Sequence, residues 1–257
     1  GPDGFGVYES DRCVLGHARL SIIDLEGGWQ PILNEDGRLA VTFNGEIYNY
    51  VELREELISK GHRFATRSDT EVIAHSYEEW GARCPERFNG QFAFAIYDSR
   101  EESLFLCRDR LGVRPLYYSR INGKLVFASE VKSLLASGFV SPCLSVEGID
   151  QIHSVWTNIF PHTPFKDVFE LPPAHTMLVR GKKVSVGRYW EIPLPGVSHP
   201  NDDGVVEGVL EHLSRSVKLR LRADVPVGAY LSGGLDSSLT TALAAKWTGA
   251  QIKTFSL

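Results

Sequence analysis

Val225-Pro226-Val227-Gly228-Ala229-Tyr230-Leu231-Ser232-Gly233-Gly234-Leu235-Asp236-Ser237-Ser238 decides how the carboxyl-terminal part of this 257-residue chain folds. Val225 to Leu231 is apolar and reads as a buried strand. Ser232-Gly233-Gly234 is a tight turn, and Asp236 to Trp247 reads as a helix that Gly249 ends. Ile252 to Leu257 then starts a second strand. A strand, a turn, a helix and a strand make the opening β-α-β of a parallel-sheet nucleotide domain. Just upstream, Val205, Val209, Leu210, Leu213, Val217 and Leu221 recur at helical spacing and predict an amphipathic helix.

The turn itself carries chemistry. Two glycines let the backbone turn its N–H groups toward an anion, and the helix behind them offers its positive end. Ser232, Ser237 and Ser238 add hydroxyl donors, and Asp236 is placed to hold Mg²⁺ on a phosphate oxygen. The run is not a G-x-x-x-x-G-K-[ST] loop, nor does Ser232 sit in a G-x-S-x-G elbow. A bare Gly-Gly would be read as a plain strand-to-helix turn with Asp and Ser as caps. The complete Ser-Gly-Gly-Leu-Asp-Ser-Ser run after an apolar strand favours the phosphate loop.

Upstream, Gly1 to about Tyr118 alternates short apolar runs with turns. Ala40 to Phe43 leads into Asn44-Gly45, Phe92 to Tyr97 ends at Asp98, and Leu104 to Cys107 and Leu116 to Tyr118 follow. Leu125 to Phe127 comes after the Asn122-Gly123 turn. Helical spacing covers Tyr50 to Lys60 and Asp69 to Trp80. Antiparallel strands with flanking helices predict an α+β domain of layered αββα type. A proline-rich region follows, with a hairpin expected from Thr176 to Arg180 and Val184 to Tyr189 around Gly181-Lys182. The polar His199 to Gly204 reads as a linker, which divides the chain into domains 1–198 and 205–257.

Composition is that of an ordinary globular protein, 43% hydrophobic and 23% charged. A net charge of −5 argues against a nucleic-acid binder, which needs a basic face. No apolar run approaches the ~20 residues of a membrane span, and no signal peptide opens the chain. Cys13, Cys84, Cys107 and Cys143 are scattered without CxxC spacing and read as reduced thiols of a cytoplasmic protein. Gly1 stands first, Met177 is the only methionine, and the final strand has no cap after it. The reading is a segment cut from a longer polypeptide at both ends.

Further motifs stand in order along the first domain: Gly1-Pro2-Asp3-Gly4, Gly16 to Asp24, Asn44-Gly45-Glu46-Ile47-Tyr48-Asn49, Ser68-Asp69-Thr70-Glu71, Phe88-Asn89-Gly90-Gln91, Arg108 to Tyr117 and Ala128 to Leu134. Asn44-Gly45 alone would be a hairpin turn. The whole set, with the phosphate loop behind it, resembles the glutamine-hydrolysing asparagine synthetases. These join a class II glutamine amidotransferase domain of N-terminal-nucleophile (Ntn) fold to a PP-loop ATP pyrophosphatase domain.

The resemblance implies a role for each matching residue. Arg19 would clamp the glutamine α-carboxylate in a bidentate pair, and Leu20, Ser21, Ile22 and Ile23 would line the pocket. Asp69, with Gly45 and Glu46, would hold the α-ammonium. The Asn44 side chain and the Gly45 N–H would form the oxyanion hole. Leu231, Ser232, Gly233, Gly234, Leu235, Asp236, Ser237, Ser238 and Leu257 would contact ATP or pyrophosphate. For Arg19 and Asp69 a structural salt bridge is the competing account.

The implied reaction is ATP- and Mg²⁺-dependent asparagine synthesis. Glutamine yields ammonia, which attacks β-aspartyl-AMP made from aspartate and ATP. The family nucleophile is an N-terminal cysteine whose own amine is the base; none of the four cysteines matches it, so this segment alone is expected to be inactive. Glutamine, aspartate and ATP are the implied partners, and a homodimer is compatible with the resemblance. Two rivals stand: a relative with another carboxylate acceptor, and a non-catalytic relative.

Overall fold

The computed structural model describes residues 1–193 and 204–256. Contacts group the chain into two compact units, Gly1–Leu20 with Trp29–Glu191, and Ser21–Gly28 with Ile192–Leu257. The linker expected at His199 to Gly204 lies outside the described residues except for Gly204.

The first unit contains β1 (Gly4–Glu9), β2 (Val14–Arg19), β3 (Ile32–Leu33), β4 (Leu39–Ile47), α1 (Tyr50–Ser59), α2 (Asp69–Trp80) and a 3₁₀ turn (Gly81–Arg87). It continues with β5 (Gly90–Asp98), β6 (Ser103–Arg108), β7 (Tyr117–Ile121), β8 (Lys124–Ala128), α3 (Val131–Ala136) and α4 (Val146–Val155). Then come β9 (Phe169–Glu170), β10 (His175–Arg180) and β11 (Lys183–Arg188). The central sheet runs β11-β10-β6-β5-β4-β3 with every neighbour antiparallel. β1 and β2 form a separate hairpin, and β8-β7-β9 form a second small sheet.

Strand alternation sorts the side chains into layers. On β4 and β5, Leu39, Val41, Phe43, Phe92, Phe94 and Ile96 face one way, where they pack with Leu53 and Leu57 of α1 and Val72 and Ile73 of α2. The intervening Ala40, Ala93, Ala95 and Tyr97 face the other way and pack with Leu15 of β2, Leu116, Leu171 and Met177. The alanines keep that face flat enough for β-structure to lie against it. Beyond it, Leu134 of α3 joins Tyr117, Val126 and Ala128. Helix, sheet, sheet and helix follow in that order, which is the expected αββα layering.

The Arg108 to Tyr117 motif is scaffold. The buried Asp109 carboxylate accepts the N–H groups of Phe92, Leu111, Val113 and Arg114 at 2.9–3.1 Å. Arg108 donates to the carbonyls of Gly112, Arg114 and Leu171 and pairs with Glu170 at 2.7 Å. These two side chains satisfy the backbone of a loop that has no ladder of its own.

The second unit contains α5 (Val205–Arg220), β12 (Gly228–Tyr230), α6 (Leu235–Thr248) and β13 (Lys253–Phe255). β12 and β13 pair in parallel, with Gly228 opposite Lys253 and Tyr230 opposite Phe255. The helices meet where Trp247 Nε1 donates to Ser214 Oγ at 2.9 Å and Lys218 lies 4.3 Å from the Trp247 ring centroid. Both strands are shorter than Val225 to Leu231 and Ile252 to Leu257 suggest. Pro226 has no N–H for a ladder, and the pairing spans only three residues on each strand. In the same unit Asp224 ties down the segment 21–28. Its N–H donates to the Ile22 carbonyl at 2.9 Å, and its carboxylate accepts the Asp24 N–H at 2.7 Å.

Candidate active site

Three elements of the first unit carry the expected glutamine contacts. Arg19 ends β2 and is buried. Asn44, Gly45 and Glu46 lie near the end of β4, opposite Ala93, Phe92 and Gln91 of β5. Asp69 is the first residue of α2. Ser68 caps that helix, its Oγ accepting the Thr70 N–H at 3.2 Å. The Asp69 carboxylate accepts the Ile47 N–H at 3.0 Å, which ties the helix start to the end of β4.

Two residues that the motifs did not single out hold these elements together. The Arg19 guanidinium lies 5.1 Å from the Trp29 ring centroid. The next residue, Gln30, accepts the Phe43 N–H at 2.7 Å and donates to Thr70 Oγ1 at 3.1 Å. One amide side chain thus joins β4 to the start of α2. No periodicity marks Trp29 or Gln30, because both lie between β2 and β3 in irregular chain. Leu20 is exposed, whereas Ser21, Ile22 and Ile23 fall in the second unit with Asp224.

Gly45 is where the backbone needs glycine. Its φ is +149°, and a Cβ there would stand 2.0 Å from the Gln91 carbonyl oxygen and 2.8 Å from Phe92 Cα. Both obstacles are main chain of the neighbouring strand, so neither can swing aside. Gly45→Ala is expected to lower stability by about 3 kcal/mol or more. Thermal unfolding checks this; an unchanged midpoint would show that β4 and β5 can separate there without cost.

The Asp69 carboxyl is pushed up to about 7 from 3.8, first by burial and also by the nearby Glu46 charge, with the Ile47 N–H opposing the shift. A raised folded-state value means that the ionised form is disfavoured. On this account the fold loses stability as pH rises from about 4 toward 7. A cation bound against Asp69 would reverse that loss.

Three of the cysteines, Cys13, Cys84 and Cys107, are poor nucleophiles where they stand. Burial pushes Cys84 and Cys107 well above the ordinary thiol range and Cys13 up to about 11. Cys143 is exposed in the segment between α3 and α4, with its Sγ 3.3 Å from Ser141 Oγ.

The turn expected to bind phosphate follows β12 in the second unit. The Leu231 N–H donates to the Phe255 carbonyl at 2.9 Å and fixes the exit from the parallel pair. Ser232 Oγ and Ser237 Oγ stand 3.0 Å apart across the turn, and Ser237 Oγ donates to the Gly234 carbonyl at 3.1 Å. Gly233 has φ +82°. Gly234 begins α6 with no side-chain cap, and Asp236 lies exposed in the first turn. Uncapped N–H groups, a positive helix end and space above Gly233 are what a phosphate group requires. Leu257 lies outside the described residues.

Layered sheets in the first unit and, later in the chain, a parallel β-α-β unit with a glycine-containing turn correspond to an amidotransferase fold joined to the start of a nucleotide-type fold. A family described as "Glutamine amidotransferase domain" matches residues 1–190, and one described as "Asparagine synthase" matches 208–257. The chain belongs to the glutamine amidotransferase domain family. It is 38% identical over 248 residues to asparagine synthetase [glutamine-hydrolyzing] 3 of Bacillus subtilis, covering 95% of this chain and 40% of that protein. Asparagine synthetase [glutamine-hydrolyzing] 2 of Arabidopsis thaliana is also 38% identical, with 99% and 40% covered. Amidase chyE of Penicillium rubens is 37% identical, with 95% and 36% covered. The chain therefore spans about 40% of the length of the synthetases it matches. Among solved structures, the glutamine phosphoribosylpyrophosphate amidotransferase of B. subtilis shares the fold, with a TM-score of 0.51 and 21% identity over 94% of this chain and 50% of that one.

Proposed function

We propose that this chain forms the glutamine-hydrolysing domain, residues 1–198, and the opening of the ATP-using domain, residues 205–257, of a glutamine-dependent asparagine synthetase. The observation that carries the reading is the pairing, in one chain, of a glutamine amidotransferase match with a phosphate loop inside an asparagine synthase match. Arg19 holds the glutamine carboxylate and Asp69 its ammonium. Asn44 and Gly45 face the oxygen on which negative charge develops as the amide carbon becomes tetrahedral. The N-terminal cysteine sulfur of the complete polypeptide adds to that carbon, collapse of the tetrahedral centre breaks the C–N bond and releases ammonia, and water then hydrolyses the thioester to glutamate and the free thiol. In the second domain, Ser232 to Ser238 grip ATP phosphates, with Asp236 as the carboxylate for Mg²⁺. Activation is needed because a carboxylate oxygen leaves poorly until it is joined to AMP. A cytoplasmic location and a homodimer belong to the same proposal.

The test uses the complete polypeptide with Mg²⁺-ATP, aspartate and glutamine, quantifying asparagine, glutamate, AMP and pyrophosphate together. Asparagine formed with AMP and pyrophosphate is the expected result. Glutamate without asparagine would redirect the acceptor to another carboxylate. A coding sequence that starts without Met-Cys would support the non-catalytic alternative.

Asp69 gives this reading a pH signature. Glutamine brings an ammonium group, which pairs only with ionised Asp69. The KM for glutamine is expected to rise up to tenfold per unit as pH falls below about 7, and to be insensitive to this group above about 8. A KM unchanged between about pH 5.5 and 8 would remove Asp69 from the ammonium site.

A further inference from the structure

On the helical side of the first unit, four side chains from three segments converge with no part in glutamine binding. Glu35 lies in the turn between β3 and β4, His62 in the chain leaving α1, and His75 and Glu78 on α2. His75 is completely buried, His62 is half-buried, and Glu35 is exposed. His75 Nδ1 lies 2.8 Å from Glu78 Oε2 and 3.7 Å from Glu35 Oε2, and His62 Nδ1 lies 3.6 Å from Glu78 Oε2. Glu35, His62 and His75 each present one ligand atom, all within 4.8 Å of one another.

We propose that Glu35, His62, His75 and Glu78 form a binding site for a divalent transition-metal ion of the zinc class. Two imidazole nitrogens and two carboxylate oxygens are a donor set suited to zinc. Four ligands at zinc bond lengths of about 2.0–2.1 Å stand about 3.3 Å apart at the corners of a tetrahedron. The observed separations of 2.8, 3.6 and 3.7 Å straddle that edge, so shifts of a few tenths of an ångström admit the ion.

The atoms behind these ligands make the case stronger than proximity does. Glu35 Oε1 accepts the Arg63 N–H at 3.0 Å, and Glu78 Oε1 accepts from Asn34 Nδ2 at 2.7 Å. His62 Nε2 faces Glu79 Oε2 at 3.4 Å. His75 Nε2, buried and without a hydrogen-bond partner, faces Glu71 Oε1 at 3.6 Å. Glu71 is itself anchored by the N–H groups of Ala65 and Thr66 at 2.7 Å. Three of the four candidate ligands, Glu35, His62 and Glu78, therefore have their outer atom on a hydrogen-bonding group, and each imidazole faces a carboxylate, as metal-bound histidines commonly do. An ion here would clamp α2, which begins at Asp69, to the β3–β4 turn and to the chain leaving α1. Its role is that of a brace on the helix that carries Asp69.

A proton competes for the same place. Burial lowers the His75 pKa, but the Glu71 and Glu78 carboxylates outweigh it and hold the value at about 9. The titration is therefore done near pH 8, where a metal displaces that proton more readily. The complete polypeptide, stripped with a chelator, is titrated with ZnCl₂ by calorimetry and, in parallel, with CoCl₂ by absorption. Expected are one equivalent of Zn²⁺ that raises the unfolding temperature and a tetrahedral Co²⁺ spectrum. Affinity should fall at least ~10-fold in both His62→Ala and Glu35→Ala, two positions outside the packed core whose loss leaves the fold intact by circular dichroism. Glu79→Gln, which alters only the group behind His62, should weaken binding by a smaller factor. Wild-type binding no tighter than that of His62→Ala and Glu35→Ala, or an octahedral Co²⁺ spectrum in all three, would overturn the proposal.

Discussion

Asn44→Ala in the complete polypeptide is expected to lower glutamine-dependent asparagine formation about 10²–10³-fold while leaving ammonia-dependent formation within about twofold. The magnitude is that of one oxyanion-hole donor. The amide oxygen of glutamine gains its charge only as the tetrahedral intermediate forms, so a donor aimed at that oxygen acts on turnover. Asn44 is the donor expected there. It lies on β4 opposite Ala93, one residue before Gly45, whose backbone conformation no other residue adopts without strain. The side chain is half-buried and not part of the packed core, so its removal leaves little cavity. Free ammonia bypasses the step entirely, and that makes the comparison diagnostic. Equal loss of both activities would contradict the assignment and point to a folding defect.

Asp236→Ala is expected to abolish asparagine formation from either nitrogen source, by roughly 10³-fold or more, because both need the activated acceptor. Asp236 stands exposed in the first turn of α6, directly behind the turn at Ser232 to Gly234. An acidic side chain there interacts favourably with the helix end, but only by about 0.3–1 kcal/mol. Folding should therefore survive the substitution, while a phosphate-bound Mg²⁺ loses its protein carboxylate. Glutamine hydrolysis, assayed as glutamate release, serves as the internal control for an intact first unit. Ammonia-dependent turnover persisting in Asp236→Ala would remove this residue from the ATP site.

Much of this architecture was legible from local pattern. α2 spans Asp69–Trp80 as its apolar spacing predicts, and the hairpin of β10 and β11 closes at Gly181-Lys182. Helix α6 begins where the glycine pair ends, because Gly234 is the last residue free of a Cβ before the helical run. The tight turn at Ser232 to Gly234 was readable for a related reason: only glycine permits that backbone without a steric cost, so the turn leaves a mark in the sequence.

Other features had no such mark. The strand at β12 is shorter than its apolar run because Pro226 cannot donate to a ladder and because strand length depends on the partner. Segment 21–28 reads as a continuation of the Arg19 motif, yet Asp224, two hundred residues away, takes up its backbone groups. The Arg108 to Tyr117 motif carries no role that its sequence reveals, and the carbonyl and N–H partners of Arg108 and Asp109 show these two to be loop scaffold.

By itself the sequence determined the element types, the alternation of large and small residues on β4 and β5, and the family. Each of these depends on neighbours along the chain or on a fixed period of two or 3.6 residues. Tertiary structure alone decided that Gln30 joins β4 to α2, that burial raises Asp69, and that Glu35, His62, His75 and Glu78 share one site. Those are meetings of residues far apart in the chain, and distance through space is the one quantity that no local pattern encodes.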